Sequence, residues 1–437
     1  MAHAQSQKLS LLDAILININ VMFGTGVLIN TVNLAYHAGF LGFLSYLMVA
    51  VMMLPLILSI AATVQRHPEG GFYAYAARDI HPAVGFLSAW TYFVGKLASA
   101  ALLIHIFTTT IKMIIPALDS YSSLMLDGII LALFIGLNMF NMKTGTYITY
   151  GFIFAKFVPI LFAIIACIAY FNRWQIPAKS LLWEGLPSTI PLVLYAFVGF
   201  EVACSLSNSI EDSKKNAPKA ILYSFGIVVF LTTLYQFLIM ATFGSEISLL
   251  SNFLGIFQVI LNFIMRRASS LRMILLKLFY IAGASSALGG SYGILFSNSW
   301  NLYTLAQKKH IPFASFFTKF NQYNVPFICV LVEGFICAAY LFLTAGHQVT
   351  LQQISVLACT IAYACSVLGL IVASRKQKID CSPLLAWTGL ASCMLLAGSS
   401  IRNFMRSGIG YLGFFFALIG CGMLLYLITD LQKRLAN

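Results

Sequence analysis

The chain alternates between long apolar stretches and short polar segments. A helix that crosses about 30 Å of hydrocarbon needs roughly 20 apolar residues at a rise of 1.5 Å each. The stretches that approach or exceed this length are 11–35, 40–64, 83–115, 124–142, 147–171, 188–209, 219–243, 277–306, 326–345, 351–373, 384–400 and 409–430. The pattern predicts an all-α integral membrane protein with about twelve transmembrane helices.

A further apolar stretch, 247–265, carries Asn252, Gln258 and Asn262. Three amide side chains make it a weaker candidate for crossing the bilayer, because a polar group in hydrocarbon is costly unless it is hydrogen-bonded. We predict an external or re-entrant helix here instead of a thirteenth span.

The positions of the basic residues predict the orientation. With twelve spans and a cytoplasmic N-terminus, more of the 26 Lys and Arg residues fall inside than outside, as the positive-inside rule requires. The exception is the cluster formed by Arg266, Arg267, Arg272 and Lys277, which this arrangement places outside. We predict a multi-pass protein of the plasma membrane or bacterial inner membrane with both termini in the cytoplasm.

Composition narrows the function classes. Of the 437 residues, 60% are hydrophobic and 9% are charged, and the mean hydropathy is +0.89. A soluble globular chain has about 25% charged residues, so a soluble enzyme or a nucleic-acid-binding module is excluded despite the net charge of +13. The nine Cys form no CxxC pair, and HExxH and Gly-x-x-x-x-Gly-Lys motifs are absent. We expect no catalysis, no metal site and no cofactor.

Two spans contain glycines that are unfavourable in a helix interior. The first span includes Gly24, Thr25 and Gly26, and the sixth places Gly199 close to Glu201. Each Gly costs about 1 kcal/mol in a helix relative to Ala. Close helix packing by small residues is one explanation for either site alone. Breaks in the first and sixth of ten helices, however, are typical of an inverted-repeat transporter with a substrate site at the membrane midplane.

Broken helices of this kind offer main-chain charge to a ligand. The N–H groups at a helix start attract an anion, and the carbonyl groups at a helix end attract a cation. We therefore predict that Gly24, Thr25 and Gly26 bind a carboxylate. We predict that an ammonium group meets the carbonyls around Phe197, Val198, Gly199 and Phe200. An α-amino acid carries both charges.

These segments resemble the amino acid–polyamine–organocation (APC) superfamily of permeases. Beyond Gly24-Thr25-Gly26, the resemblance rests on Pro68–Tyr75 after the second span and on Phe197–Glu201 in the sixth. It extends to Asn216-Ala217-Pro218, to Lys156 in the fifth span and, more faintly, to Gln307–Pro312.

The resemblance implies the leucine-transporter-type fold, with two inverted five-helix repeats and two peripheral helices. The corresponding divisions are 1–10 (cytoplasmic N-terminus), 11–171 (first repeat), 188–373 (second repeat), 384–430 (peripheral helices) and 431–437 (cytoplasmic C-terminus).

Lys156 lies near mid-depth of the fifth span, where a charge is costly and therefore points to function. By analogy with the family, its ammonium group occupies the place of a sodium ion between helices 1 and 8, with Ser285 and Ser286 facing it. Two roles fit this position. Lys156 either releases a proton during transport or remains charged as a strut bonded to helix-1 carbonyls.

Glu201 and Lys96 are further candidates for coupling or gating, and Tyr195 is a candidate for substrate binding. Glu201 follows the second break and is predicted to anchor or gate it, or else to bond nearby N–H groups. Lys96 lies deep in the third span and would meet either a substrate carboxylate or an internal acid. The resemblance suggests that Tyr195 closes over the substrate, although packing is an equal rival. Asp13 and Glu333 lie near the inner ends of spans and are predicted to be interfacial.

The sequence thus predicts a secondary active transporter that moves amino acids by alternating access. Its partners would be a small amino acid substrate, protons and the lipid bilayer, with proton coupling or exchange instead of sodium coupling. The alternatives are an amine, polyamine or other organic-cation exchanger of the same fold, and a channel.

Overall fold

A computed structural model describes residues 8–69, 71–174, 181–250, 253–265, 269–376, 382–407 and 410–436. Several predictions lie outside this part of the chain. They concern the first seven residues of the cytoplasmic N-terminus, Gly70 of the Pro68–Tyr75 element, the external cations Arg266 and Arg267, and the side chain of Thr25.

The described residues form seventeen α-helices and no β-strand. The helices are Leu11–Met22 (α1), Thr25–Ala38 (α2), Gly42–Arg66 (α3), Gly71–Ala77 (α4), Pro82–Ile114 (α5), Ser123–Leu137 (α6), Met142–Ala169 (α7), Leu186–Phe197 (α8), Val202–Ser205 (α9), Ser213–Ile247 (α10), Gly255–Ile264 (α11), Ser269–Gln307 (α12), Ala314–Phe317 (α13), Phe327–Thr344 (α14), Gln348–Arg375 (α15), Pro383–Ser407 (α16) and Gly410–Ala436 (α17).

Each of the twelve predicted segments contains α-helix within the described residues, and the predicted fold class is confirmed. Among the described residues, ten helical segments are long and apolar enough to span a membrane, and the pair α1 and α2, bent by 46°, makes an eleventh. The twelfth, α6, is apolar but has only 15 residues. The stretch 247–265 contains α11, whose ten residues are too few to cross a bilayer.

Local signals in the sequence fix the start of the first span. Ser10 caps α1 through a capping box, in which its hydroxyl accepts the Asp13 N–H and the Asp13 carboxylate accepts the Ser10 N–H. Leu9 pairs with the segment after α9, because its N–H donates to Ser209 O at 2.7 Å and its carbonyl accepts from Glu211 N at 2.9 Å. The start of α1 is therefore tied to the segment that follows α9.

The centre of the molecule is built on α5 and α15, which pack along each other. Gly95 of α5 allows this approach, since a Cβ there would collide with the Cβ of Ala358. Small residues let helices pack closely in membranes, where lipid supplies no hydrophobic drive between them. The last helix, α17, is the most exposed of the ten long segments, with 22% of its apolar window buried against 78% for α15.

Candidate substrate site at two helix breaks

The first break lies between α1 and α2. The last N–H groups of α1 are satisfied locally, with Phe23 N donating to Ile19 O at 2.8 Å and Gly24 N to Met22 O at 3.0 Å. Gly24 then caps α2 without a side-chain hydrogen bond. The first N–H groups of a helix have no acceptor within it, so α2 presents a partial positive charge at this depth.

Gly26 borders open space. A Cβ built on Gly26 would meet no atom within 4 Å, and one on Gly24 would meet only Val21 O, at 3.9 Å. Gly26 itself is half-buried. The start of α2 therefore borders open space beside the main chain at Gly26.

The second break separates α8 from α9 over residues 198–201. Gly199 has φ +133°, a conformation that side-chain-bearing residues rarely adopt. A Cβ there would lie 3.0 Å from Val21 Cγ1 and 3.1 Å from Met22 N. Gly199 is thus the point where the two breaks touch, and its lack of a side chain serves both the turn and the contact.

The aromatic side chains around the second break point into the protein. Phe197 packs against Tyr46 and Phe225, with ring centroids 5.9 and 5.4 Å apart, and Phe200 packs on Tyr363 at 5.4 Å. Val198 is also buried. These three side chains are therefore withdrawn from the break, and the main chain is what they leave accessible there. The described residues supply no hydrogen bond to the carbonyl oxygens of Phe197 and Val198.

Asn18, which the sequence analysis did not single out, fastens the two broken spans together. Its Nδ2 donates to Phe200 O at 2.8 Å and to Ser224 Oγ at 3.1 Å, and its Oδ1 accepts from Ala203 N at 2.8 Å. The bonds to Phe200 O and Ala203 N satisfy main-chain groups that a helix break leaves without partners. The signal in the sequence was an amide in the middle of an apolar span.

Glu201 and Lys96 form an ion pair inside the protein. Lys96 Nζ lies 2.6 Å from Glu201 Oε1, and the exposed fractions of the two side chains are 3% and 0%. Tyr92 donates to the same carboxylate oxygen at 3.1 Å, while Glu201 Oε2 accepts from Gly199 N at 2.9 Å. The sequence left two partners open for Lys96, a substrate carboxylate and an internal acid. In the structure Lys96 pairs with the internal acid, Glu201. Glu201 in turn holds the second break through its own loop.

Tyr195 lies on α8, one turn before the second break. Its hydroxyl group is 3.4 Å from Ser99 Oγ on α5, and the side chain is half-buried. The tyrosine therefore bridges α8 to the helix that carries Lys96.

Lys156 is bonded to the end of α1. Its Nζ donates to Asn20 O at 2.7 Å and to Phe23 O at 3.0 Å, and the side chain is buried. A cation at a helix C-terminus is favourable because the carbonyls there carry partial negative charge. These are the contacts expected of a strut.

Ser285 and Ser286, which were expected to face Lys156, lie on α12. Ser285 Oγ donates to Ala282 O of its own helix at 2.8 Å, and Ser286 is buried. Within the described residues, neither serine has a hydrogen bond to Lys156.

We expect Lys156→Met to reduce uptake by about tenfold or more and to lower the melting temperature. Two buried carbonyl oxygens would lose their donor, at about 1–3 kcal/mol each. Uptake measured across pH should keep the shape of the wild-type profile. Lys143→Met, on the exposed start of the same helix, is the matched control. A flattened profile for Lys156→Met would assign the transported proton to Lys156 and overturn the strut role.

Ion pairs and a hydrogen bond hold the chain around the Pro68–Tyr75 element in place. Asp79 pairs with Arg66 at 2.8 Å and with His67 at 3.0 Å. Tyr73 OH lies 2.6 Å from His310 Nε2, just beyond α12. Burial lowers the pKa of His310 to about 4, so this imidazole is neutral at physiological pH. The contact ties α4 to the end of α12.

The described residues contain no cluster of three or more His, Cys, Asp or Glu that would hold a metal ion. One segment, Gly289–Gly293, has the Gly-x-Ser-x-Gly spacing of a hydrolase nucleophile. It lies inside α12, however, and Ser291 Oγ donates to Ala100 O at 3.1 Å. It therefore lacks the strand-to-helix turn that exposes such a serine.

Comparison with known proteins identifies the family. A family model described as amino acid permease matches residues 9–432. An uncharacterised transporter of Mycobacterium bovis is 25% identical over 342 residues, covering 76% of this chain and 73% of its own. An arginine/ornithine antiporter of Pseudomonas aeruginosa is 25% identical over 256 residues, covering 55% and 53%. A low-affinity putrescine importer of Escherichia coli is 22% identical over 207 residues, covering 44% of each chain. The predicted resemblance is confirmed: the chain belongs to the amino acid permease family and is a multi-pass membrane transporter.

Proposed function

We propose that this permease is a secondary active transporter that moves α-amino acids across a membrane by alternating access. The observation that carries the proposal is the pairing of two main-chain charges. The start of α2 borders open space at Gly26. In the second break, which contacts the first, the carbonyl oxygens of Phe197 and Val198 accept no hydrogen bond from the described residues. A carboxylate fits the first group and an ammonium fits the second.

The contacts of Lys156 support proton coupling or exchange in preference to sodium coupling. Its ammonium group already occupies carbonyl oxygens of Asn20 and Phe23, which are the ligand type that a sodium ion would require. Uptake should therefore be unchanged when sodium is replaced by potassium on both sides of the membrane.

An amine or polyamine is the second candidate substrate, because relatives include a putrescine importer and an arginine/ornithine antiporter. A diamine has no carboxylate to place against the start of α2. Its second ammonium group would need a free acid, and Glu201 is already neutralised by Lys96. These two points favour a zwitterion. Membership of a permease family favours a transporter over a channel.

Counterflow in proteoliposomes tests the proposal directly. Vesicles preloaded with one unlabelled compound are exposed to trace labelled compound, using neutral amino acids, arginine and putrescine in separate experiments. We expect accumulation of at least one neutral amino acid and none of putrescine. Exchange of putrescine alone would favour the polyamine reading, and the absence of exchange for every compound would refute both.

We also propose that both termini lie in the cytoplasm. Ser120, in the turn before α6, and Ser315, in the short helix α13, are on opposite sides of the membrane in the predicted topology, and both are exposed. A single cysteine at Ser120, in a background without the exposed Cys421, should react with an impermeant maleimide applied outside intact cells. The same change at Ser315 should react only after permeabilisation, and the reverse pattern would invert the topology.

A further inference from the structure

Glu333 on α14 is a buried acid that the site described above does not use. The sequence analysis predicted an interfacial position, and this prediction was wrong, because the side chain is 0% exposed. Glu333 is the seventh residue of α14, about 9 Å along the helix from its start. Both carboxyl oxygens are buried, and neither has a hydrogen bond of normal geometry within the described part of the chain, although Asn298 lies beside them.

No cation in the described part of the chain pairs with this carboxyl group. Among the described residues Glu333 takes part in no ion pair, and Lys96 of the neighbouring α5 is committed to Glu201. On its own helix Glu333 is flanked by the thiols of Cys329 and Cys337, one turn to either side. The facing helix α12 contributes Asn298, which is neutral.

The remaining helices around α14 bring no free positive charge to this acid. Beyond Cys337 lies Asp127 of α6, which is bonded to His105 Nδ1 of α5 at 2.7 Å. The short helix α13 has no titratable side chain. On α15, Cys359 and Tyr363 face Glu201.

An unpaired carboxylate in such surroundings is strongly disfavoured, whereas a carboxylic acid is not, because the cost falls on the charge. We propose that Glu333 holds a proton in this conformation and is the proton-binding site of the transport cycle. The proposal rests on the function proposed above and assigns its coupling ion to a residue.

A chain of amides links Glu333 to the second broken helix. Asn298, beside Glu333, donates to Phe93 O at 2.9 Å and accepts from Asn301 Nδ2 at 2.9 Å. Asn301 Nδ2 also donates to Ser205 Oγ on α9 at 2.9 Å. One side chain, Asn298, thus separates Glu333 from the hydrogen bonds that hold α9 against α12.

The linkage gives the proton a role in the cycle. Protonated Glu333 is compatible with the dry packing seen here, and α9 stays bonded to α12. Loss of the proton breaks the carboxyl O–H bond, leaves the electron pair on Glu333 as a carboxylate and passes H⁺ to water. The carboxylate then needs a donor. Asn298 Nδ2 uses one of its two N–H groups on Phe93 O and can turn the other toward Glu333, and this rotation shifts the Oδ1 that accepts from Asn301. Deprotonation therefore favours a conformation in which α9 is released and water reaches the acid.

Chemical labelling tests protonation in the unmodified protein. Dicyclohexylcarbodiimide enters membranes and reacts with protonated carboxyl groups in apolar surroundings, giving a stable adduct that peptide mass spectrometry locates. We expect modification of Glu333 that declines as pH rises, and none of Glu201, which is ion-paired. Absence of the adduct at Glu333 at acidic pH would overturn the proposal.

Glu333→Gln tests the role in transport. In proteoliposomes, counterflow at equal pH on both sides should stay within about threefold of the wild type. Accumulation driven by a pH gradient should fall to the equilibrium level, and proton uptake reported by a trapped pH dye should be lost. Glu184→Gln, at an exposed position, is the control and should behave as wild type. Glu333→Asp, which keeps a titratable group, should retain gradient-driven accumulation.

The outcomes separate the two proposals. If Glu333→Gln accumulates substrate in a pH gradient as the wild type does, the assignment of Glu333 fails while the transport function stands. If the wild type shows no counterflow with any compound, the proposed function fails, and the carbodiimide result still reports whether Glu333 is protonated. Should Glu333→Gln not fold, Glu333→Met, which is apolar and of similar volume, replaces it with the same expectations.

Discussion

Gly26→Val is expected to reduce uptake by about 100-fold, equivalent to about 2.7 kcal/mol of lost substrate stabilisation. The structure explains why the protein should nevertheless fold. An added Cβ meets nothing within 4 Å, and Gly26 does not have the positive φ that would strain a valine. The isopropyl group would instead occupy the open space at the start of α2, where the substrate carboxylate is proposed to bind. Initial rates of labelled substrate uptake, normalised to folded protein by size-exclusion chromatography, measure the effect.

Two other glycines provide matched comparisons. Gly128 on α6 also has open space around its would-be Cβ but is exposed on the outside of the protein, so Gly128→Val should transport normally. Gly199→Val should fail to fold, because its φ of +133° and its contact with Val21 and Met22 leave no room. Normal uptake by Gly26→Val would refute the assignment of the carboxylate site to the start of α2.

Lys96→Met is expected to destabilise the protein by about 3–5 kcal/mol, the usual cost of removing one partner from a buried ion pair. The change leaves the Glu201 carboxylate inside the protein with only Tyr92 and Gly199 N–H as donors. Because Glu201 holds the second break, uptake should also be lost. Melting temperature in detergent, followed by tryptophan fluorescence, measures the loss of stability.

The double variant Lys96→Met/Glu201→Gln should recover most of this stability, since the amide is neutral and still accepts the Gly199 N–H. Lys215→Met is the control, because Lys215 pairs with Asp212 at 3.3 Å on the surface, where exposed pairs contribute about 0–1 kcal/mol. A melting temperature for Lys96→Met equal to that of the wild type would mean that the buried pair does not hold the break.

Helix positions were predictable from the sequence because span length and glycine placement are local properties. The Gly-Thr-Gly segment predicted the first break correctly, although α2 already begins at Thr25, so Thr25 and Gly26 belong to its first turn. Gly199 predicted the second break, but its contact with Val21 and Met22 depends on how two distant spans meet. A glycine in the sequence indicates where the backbone can break a helix, whereas the residues that contact it depend on the folded structure.

Partner choice was the part that sequence reasoning could not supply. Lys96 and Glu201 were both singled out, yet their pairing depends on the crossing of α5 with the second break. Glu333 was misplaced because distance along a span does not tell which side faces protein. Asn18 and Asn20 were missed, although their separation by two residues in a helix turns them about 200° apart. Asn18 accordingly bonds the second break, and Asn20 Nδ2 bonds Gly289 O on α12.

The side chain of Asn18 constrains how the transporter can move. Sliding α1 away from α9 would break its bonds to Phe200 and Ala203, and would also break the main-chain pairing of Leu9 with Ser209 and Glu211. Displacing the two half-helices as one rigid body breaks none of these. Conformational cycling that preserves these bonds therefore requires α1 and α9 to swing jointly about the two interruptions, which would serve as their hinges.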